Sequence, residues 1–318
     1  MKDQPSPDET LIMPTSSSWL TLAPMNTIRS HCGAAAMGGK LYVFGGGGPE
    51  FKSLQTVEIY DPKTDRWTFG PEMPTLRSGV VAVNLNEQAY VMGGGFRRPD
   101  GAFNFLTVVE IFNPKTGAWS KGPDLLQRHD APAATPFNDT IYLFGGHHPE
   151  ATGGPMTDPA FSFSERLDRK EGLWREIAPM PTPRFSLAAV PFSEKILAIG
   201  GAGFREGTFH NYDLIEQYDP TENRWSADPR FHLPWRAAGV GSCLVDGKIY
   251  LFGGHSGDRV QDRAAVLDPK TRKWIELPPM PDARVAMATV YLEGRIYLIG
   301  GRGPDGRTPT NRVTALTL

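Results

Sequence analysis

Short apolar runs closed by two glycines return along the whole chain: LYVFGG at 41–46, YVMGG at 90–94, IYLFGG at 141–146, ILAIGG at 196–201, IYLFGG at 249–254 and IYLIGG at 296–301. Their length is that of a strand, and their weak period-two alternation is that of strands covered on both faces. Successive glycine pairs are 48, 52, 55, 53 and 47 residues apart. That spacing is too regular for chance and lies in the range of propeller blades. A second strand follows each pair and ends in a turn, as in VEIYDPKTDRW from Val57, VEIFNPKTGAW from Val109, IEQYDPTENRW from Ile215 and AVLDPKTRKW from Ala265. The copy ERLDRKEGLW keeps the spacing from Asp168 to Trp174 but has Arg169 in place of proline. Asp-Pro or Asn-Pro initiates a turn, because proline presets φ and the side-chain oxygen accepts a backbone N–H. A hairpin corner therefore recurs, with the tryptophan on the strand that leaves it.

After each tryptophan the chain reaches an arginine, in APMNTIR, PEMPTLR, GPDLLQR, APMPTPR, FHLPWR and PPMPDAR, and then a small-residue run leads back to the glycine strand. One period thus holds four strands. The fold class expected is all-β, a six-bladed β-propeller of four-stranded antiparallel blades. SWLTLAPM around Trp19 is a tryptophan strand without the three before it, and RVTALTL after Gly301 is a third strand without a tryptophan strand after it. The amino-terminal strand is expected to pair with the carboxy-terminal blade, closing the ring and removing an edge. Residues 1–16, polar and rich in Pro and Ser, read as a flexible tail, and 17–318 as a single propeller domain.

The GG pair, the Asp-Pro turn, the tryptophan and the Met-Pro-x-x-Arg segment resemble the kelch family over residues 17 to 318. On this reading the glycines are structural. GGGGPE at 45–50 is followed by no helix, so it is no phosphate loop.

Composition narrows the function. The chain has 318 residues, 40% of them hydrophobic, enough for a large core. A formal charge of −2 supplies no basic field for nucleic acid. No apolar run has the length of a membrane span, and MKDQPSPDETLIMPTSSS lacks the apolar core of a secretory signal, so a soluble cytoplasmic protein without membrane partners is expected. Cys32 and Cys243 are the only cysteines and form no disulfide framework. Asn138-Asp139-Thr140 reads as a turn between strands rather than a glycan acceptor.

Strands running up and down place the loop after each GG and the segment at each arginine on one face, which also holds all seven histidines. GFRRPDGAFNF, HHPEATGGPMTDPAF, AGFREGTFHNYD and HSGDRVQD on that face are longer than the opposite turns, and long loops on a rigid scaffold carry binding residues. Arg29, Arg77, Arg128, Arg184, Arg236 and Arg284 lie 16 or 17 residues before the first glycine of their blades and are read as substrate-binding, against a role as scaffold bonds. The kelch resemblance implies that some of them grip carboxylates. After them come Ser30-His31, Ser78-Gly79, His129-Asp130, Phe185-Ser186, Ala237-Ala238 and Val285-Ala286, which makes His31, His129 and Asp130 the catalytic candidates, an imidazole being able to move protons near neutrality. Phe96, Phe103, Phe185, Phe204 and Trp235 are read as an aromatic wall, and His255 as a further binding residue.

No cofactor or metal is expected: His147, His148 and Glu150 stand alone as possible ligands, and the ligand spacing of the kelch nitrile-specifier proteins and the Cys–Tyr pair of galactose oxidase are absent. The leading expectation is a small polar or anionic molecule bound at the funnel face, with cofactor-independent acid/base chemistry of the isomerase, mutarotase or cyclase type. Sialate mutarotases are kelch propellers of that kind. The alternative is a protein-protein interaction module taking an acidic segment on the same face, the commonest role of kelch domains.

Overall fold

A computed structural model describes residues 18–147, 150, 159–205, 208–268 and 271–318. Six four-stranded antiparallel sheets follow one another along the chain. Blade 1 runs Gly33–Met37, Lys40–Phe44, Val57–Asp61, Arg66–Gly70, and blades 2 to 5 repeat that order. Blade 6 takes Ala288–Leu292, Arg295–Ile299 and Val313–Thr317 from the end of the chain and Trp19–Leu22 from its beginning, with Trp19 opposite Leu316 and Leu22 opposite Val313. The first strands of the blades contact one another around the axis, and those of blades 6 and 1 do so too. The expected six-bladed ring and its closure are thus observed. The tail expected over 1–16 lies outside the described residues.

Burial explains the hydrophobic pattern. The glycine strands are buried along their apolar stretch, as in Leu41, Val43 and Phe44 of blade 1, with Tyr90 of blade 2 half-buried, whereas the outer strand Arg66–Gly70 is largely exposed. Sheets packed face to face cover both surfaces of the second strand, so alternation disappears there. The repeated tryptophan bolts each blade to the one before. Trp67 Nε1 donates to Ala23 O, Trp119 to Pro71 O, Trp174 to Pro123 O, Trp225 to Ala178 O, Trp274 to His232 O and Trp19 to Pro278 O, at 2.8 to 3.1 Å.

Two positions account for the glycines. Gly45 has φ +55°, and a Cβ there would lie 2.7 Å from Arg77 O on the next blade. Its neighbour Gly46 donates its N–H to that same carbonyl at 3.0 Å. A side chain would push the blades apart and break this stitch, which recurs at Gly301 and Arg29 O across the closure. On the opposite face Asn138 and Asp139 have φ +47° and +58°, a tight turn between Ala133–Phe137 and Thr140–Phe144, as the sequence led us to expect. No described helix is long and apolar enough to cross a membrane.

Candidate functional site

The repeated arginine has two fates, set by one residue of spacing. Arg29, Arg77, Arg184 and Arg284 stand 16 residues before their glycine and are fully buried. Arg184 donates to Gly200 O at 2.7 Å and pairs with Glu216 at 2.7 Å, while Arg29 and Arg77 bond the matching Glu58 and Glu110 at 2.7 and 2.8 Å. Arg284 lacks that glutamate and uses Asp282 at 3.1 Å and the Thr314 hydroxyl. These guanidinium groups are spent inside the blades, which corrects the expectation that they reach a ligand. The glutamate of each VEIY-type strand has the same scaffold role, Glu58 also accepting the Asn26 and Thr27 backbone N–H groups.

Arg128 and Arg236 stand 17 residues before their glycine and are exposed, outside the cavity lining. Adjacent strand residues face opposite ways, so the extra residue turns the side chain outwards. His129 fills the buried place in blade 3, with Nδ1 2.6 Å from Gly145 O and Nε2 3.0 Å from Glu165. It bridges the partners an arginine bridges elsewhere and does not line the cavity, so its expected catalytic role is corrected. In blade 5 the place is held by Ala237, with Ala265 instead of the glutamate, and Trp235 Nε1 supplies the bond to Gly253 O at 3.0 Å. Trp235 is therefore packed structure, with Arg263 over its ring at 4.6 Å. Phe204 packs on Phe209 at 5.6 Å and Phe96 lies in the ribbon Gly95–Arg97, both outside the cavity lining.

The axial site is built from three positions per blade. Two residues beyond each buried place come His31, Gly79, Ala131, Ser186, Gly239 and Ala286, all with φ between +49° and +67°. Each donates its N–H to the carbonyl of its counterpart on the preceding blade at 2.7 to 3.0 Å, and the six bonds close on themselves. This ring is the floor. One residue earlier come Ser30, Ser78, Asp130, Phe185, Ala238 and Val285, each bridged to the residue after its blade's glycine pair: Gly47, Gly95, His147, Ala202, His255 and Arg302. Holding His31, Ala131, Ser186 and Ala286 left-handed costs about 1 kcal/mol or more apiece, offset by the closed ring.

Above the ring lies a cavity of about 280 Å³, and below it a smaller one of about 90 Å³ lined by the same six floor residues. Asp130 Oδ2 lies 3.0 Å from His147 Nδ1, so the carboxylate pairs with His147 rather than with its sequence neighbour His129. His147 stacks on Phe185 with centroids 4.0 Å apart and on Phe105 at 6.1 Å. His31 and His255 line the cavity too. Enclosure, helped by Arg302 and His147, holds His31 down at about 3, so this imidazole stays uncharged near neutrality.

Arg302 lines the same cavity with its guanidinium 4.7 Å above the Phe51 ring, and no carboxylate is within ion-pair distance among the described residues. Burial pulls it below the usual guanidinium range, with Asp305 opposing, yet an arginine keeps its charge. Sequence reasoning missed Arg302, Phe51, Phe105 and Phe209 and saw His147 only as a loop ligand. The residue directly after each GG was the available signal. No group of three His, Cys, Asp or Glu among the described residues is placed to hold a metal, and His148 lies outside them.

The match to known proteins follows this geometry. The KLHDC2/KLHL20/DRC7 Kelch-repeats domain matches residues 79–301, more than half of the chain, and a Kelch motif matches 28–74. The chain belongs to the kelch-repeat family. Among kelch relatives it is 28% identical to Kelch-like protein 36 of Bos taurus, over 84% of this chain and 43% of that protein. It is 27% identical to human Kelch-like protein 23 over 85% of this chain and 45% of the other, and 26% identical to Beta-scruin of Limulus polyphemus over 81% and 28%. The chain thus spans less than half the length of these relatives. The solved structure of YjhT shares the kelch propeller fold with a TM-score of 0.75, covering 93% of this chain and 97% of that one at 16% identity.

Proposed function

We propose that the funnel face docks a protein partner and that an acidic side chain of that partner pairs with Arg302. The observation that carries this reading is the state of that guanidinium: every inward arginine of the blades has a carboxylate within reach, whereas among the described residues Arg302 has none within ion-pair distance and lies over the face of Phe51. A desolvated cation without a counter-ion is costly, and a carboxylate entering the cavity relieves that cost through charge-assisted hydrogen bonds. The surroundings suit a macromolecule. Ile28, Leu76 and Leu126 on the entering segments of blades 1 to 3 and Phe51 beside the cavity are 41 to 51% exposed, and Arg128 and Arg236 are exposed on the same face. Apolar surface beside an electrostatic anchor is the composition of a recognition patch.

A second reading, small-molecule acid/base chemistry, is favoured by one observation, the Asp130–His147 pair in a cavity of about 280 Å³. A carboxylate that orients an imidazole is the arrangement of a general base.

Selection of random displayed peptides on the full chain separates the two. The expected result is enrichment of Asp- or Glu-bearing peptides on the wild type and its disappearance on Arg302→Ala. Equal selection on both proteins overturns the docking reading. Turnover of a metabolite in cell extract by the wild type but not by His147→Ala, followed by NMR and mass spectrometry, would establish the second in its place.

A further inference from the structure

We infer that the wall opposite Arg302 is a second subsite, built from Asp130, His147 and Phe185, and that it takes a basic side chain of the docked segment. The inference rests on the docking reading above and specifies its partner: an acidic and a basic side chain, both presented to the funnel.

The argument starts from the position on the blade. Of the six residues that precede the floor ring, five are Ser30, Ser78, Phe185, Ala238 and Val285, and only blade 3 places a carboxylate there. Blade 3 faces blade 6 across the six-membered ring, so Asp130 and Arg302 stand on opposite walls of one cavity. One oxygen of Asp130 is used, Oδ2 by His147 at 3.0 Å. The other, Oδ1, lies over the axial backbone of Gly79, where a Cβ would come within 2.0 Å of it. Among the described residues Oδ1 accepts no hydrogen bond, and the Asp130 side chain is 15% exposed. A carboxylate oxygen beside a cavity and without a donor is the mirror image of a guanidinium without an acceptor.

The neighbouring surface is aromatic. His147 lies between Phe185 and Phe105, and Phe209 packs on Phe185 at 6.3 Å. Ring faces next to a carboxylate attract an ammonium or guanidinium, because the quadrupole and the anion act in the same direction. Uncharged His31 lies on the floor, close enough to both Arg302 and His147 for each to disfavour its protonation, so it adds no charge of its own. Among the described residues the lining therefore carries one positive and one negative pole. A purely acidic segment would satisfy Arg302 and leave Asp130 repelling it, while a segment with both charges satisfies each pole.

The test uses the same random displayed peptides on three forms of the full chain: wild type, Asp130→Asn and Arg302→Ala. Wild type is expected to enrich peptides in which Lys or Arg accompanies Asp or Glu at a preferred spacing. Asp130→Asn is expected to keep the acidic preference and lose the basic one. For a selected peptide, replacing its Lys by Met should weaken binding to wild type about fivefold or more and leave binding to Asp130→Asn unchanged. A thermal melt checks that Asp130→Asn is folded, and Asp130→Ser replaces it if it is not. Acidic enrichment with no basic partner, or a basic preference that survives loss of the carboxylate, overturns the subsite while leaving docking intact. Absence of any acidic preference that depends on Arg302 overturns docking, and the subsite with it.

Discussion

Arg184 and Arg302 are the same residue in two regions of one molecule. Arg184 is sealed in blade 4, with Gly200 O and Glu216 each 2.7 Å away, and Arg302 lines the funnel with an aromatic ring beneath it. The first belongs to a position that recurs through the repeat, the second to a position that reads Gly47, Gly95, His147, Ala202 and His255 in the other blades. Recurrence marks what each blade needs in order to stand beside its neighbour. Departure from it marks where the ring stops being symmetric, and a propeller recognises something through its asymmetry.

The contrast can be broken experimentally. The largest effect is expected from Arg184→Ala, which strands Glu216 in the blade interior and should cost about 3–5 kcal/mol in denaturant unfolding. His129→Ala should fall in the same class by stranding Glu165, and a near-neutral result for both would show that these pairs do not hold the blades. Next comes pH. His31 is held at about 3 in the folded chain, below the ordinary 6.5, so the unfolded state takes up its proton first as pH falls. Its contribution to stability is present above about 6.5 and is lost progressively as pH drops from there toward 3. His31→Gln should therefore lose less stability than wild type between pH 7 and 5, and identical pH profiles would mean that His31 titrates normally. The smallest loss is reserved for Arg302→Ala, expected to leave unfolding unchanged or to raise stability slightly, because no ion pair among the described residues is broken and an unpaired cation leaves the cavity. A loss as large as that of Arg184→Ala would place Arg302 in the scaffold and dissolve the comparison.

Blades 3 and 5 show how much of the site was legible. Their arginines, Arg128 and Arg236, look like the others in a motif scan, and the one-residue difference in spacing was visible without its meaning being so. Strand geometry gave it meaning: Arg128 and Arg236 face solvent, and His129 and Ala237 take the buried place. The same shift separates His31 from His129, which the spacing had grouped as a catalytic pair, and sets Asp130 on the tier above the ring that Phe185 occupies in blade 4. Asp130 was legible as a candidate, but its partner was not. His147 lies seventeen residues away and reaches it only because the strand returns through the glycine pair.

What the sequence determined by itself is the repeat: six glycine strands, their four-strand periods, closure by the first strand and the face that carries the variable loops. These follow from short-range rules of strand length, turn chemistry and burial, each written many times over. What only the tertiary structure decided is which member of each pair of adjacent residues turns inward, and which side chains from different blades meet. Six backbones converging on one axis bring Arg302 to Phe51 and set Asp130 against Gly79, residues 251 and 51 positions apart. Ring closure sets those distances, and no local pattern along the chain encodes it.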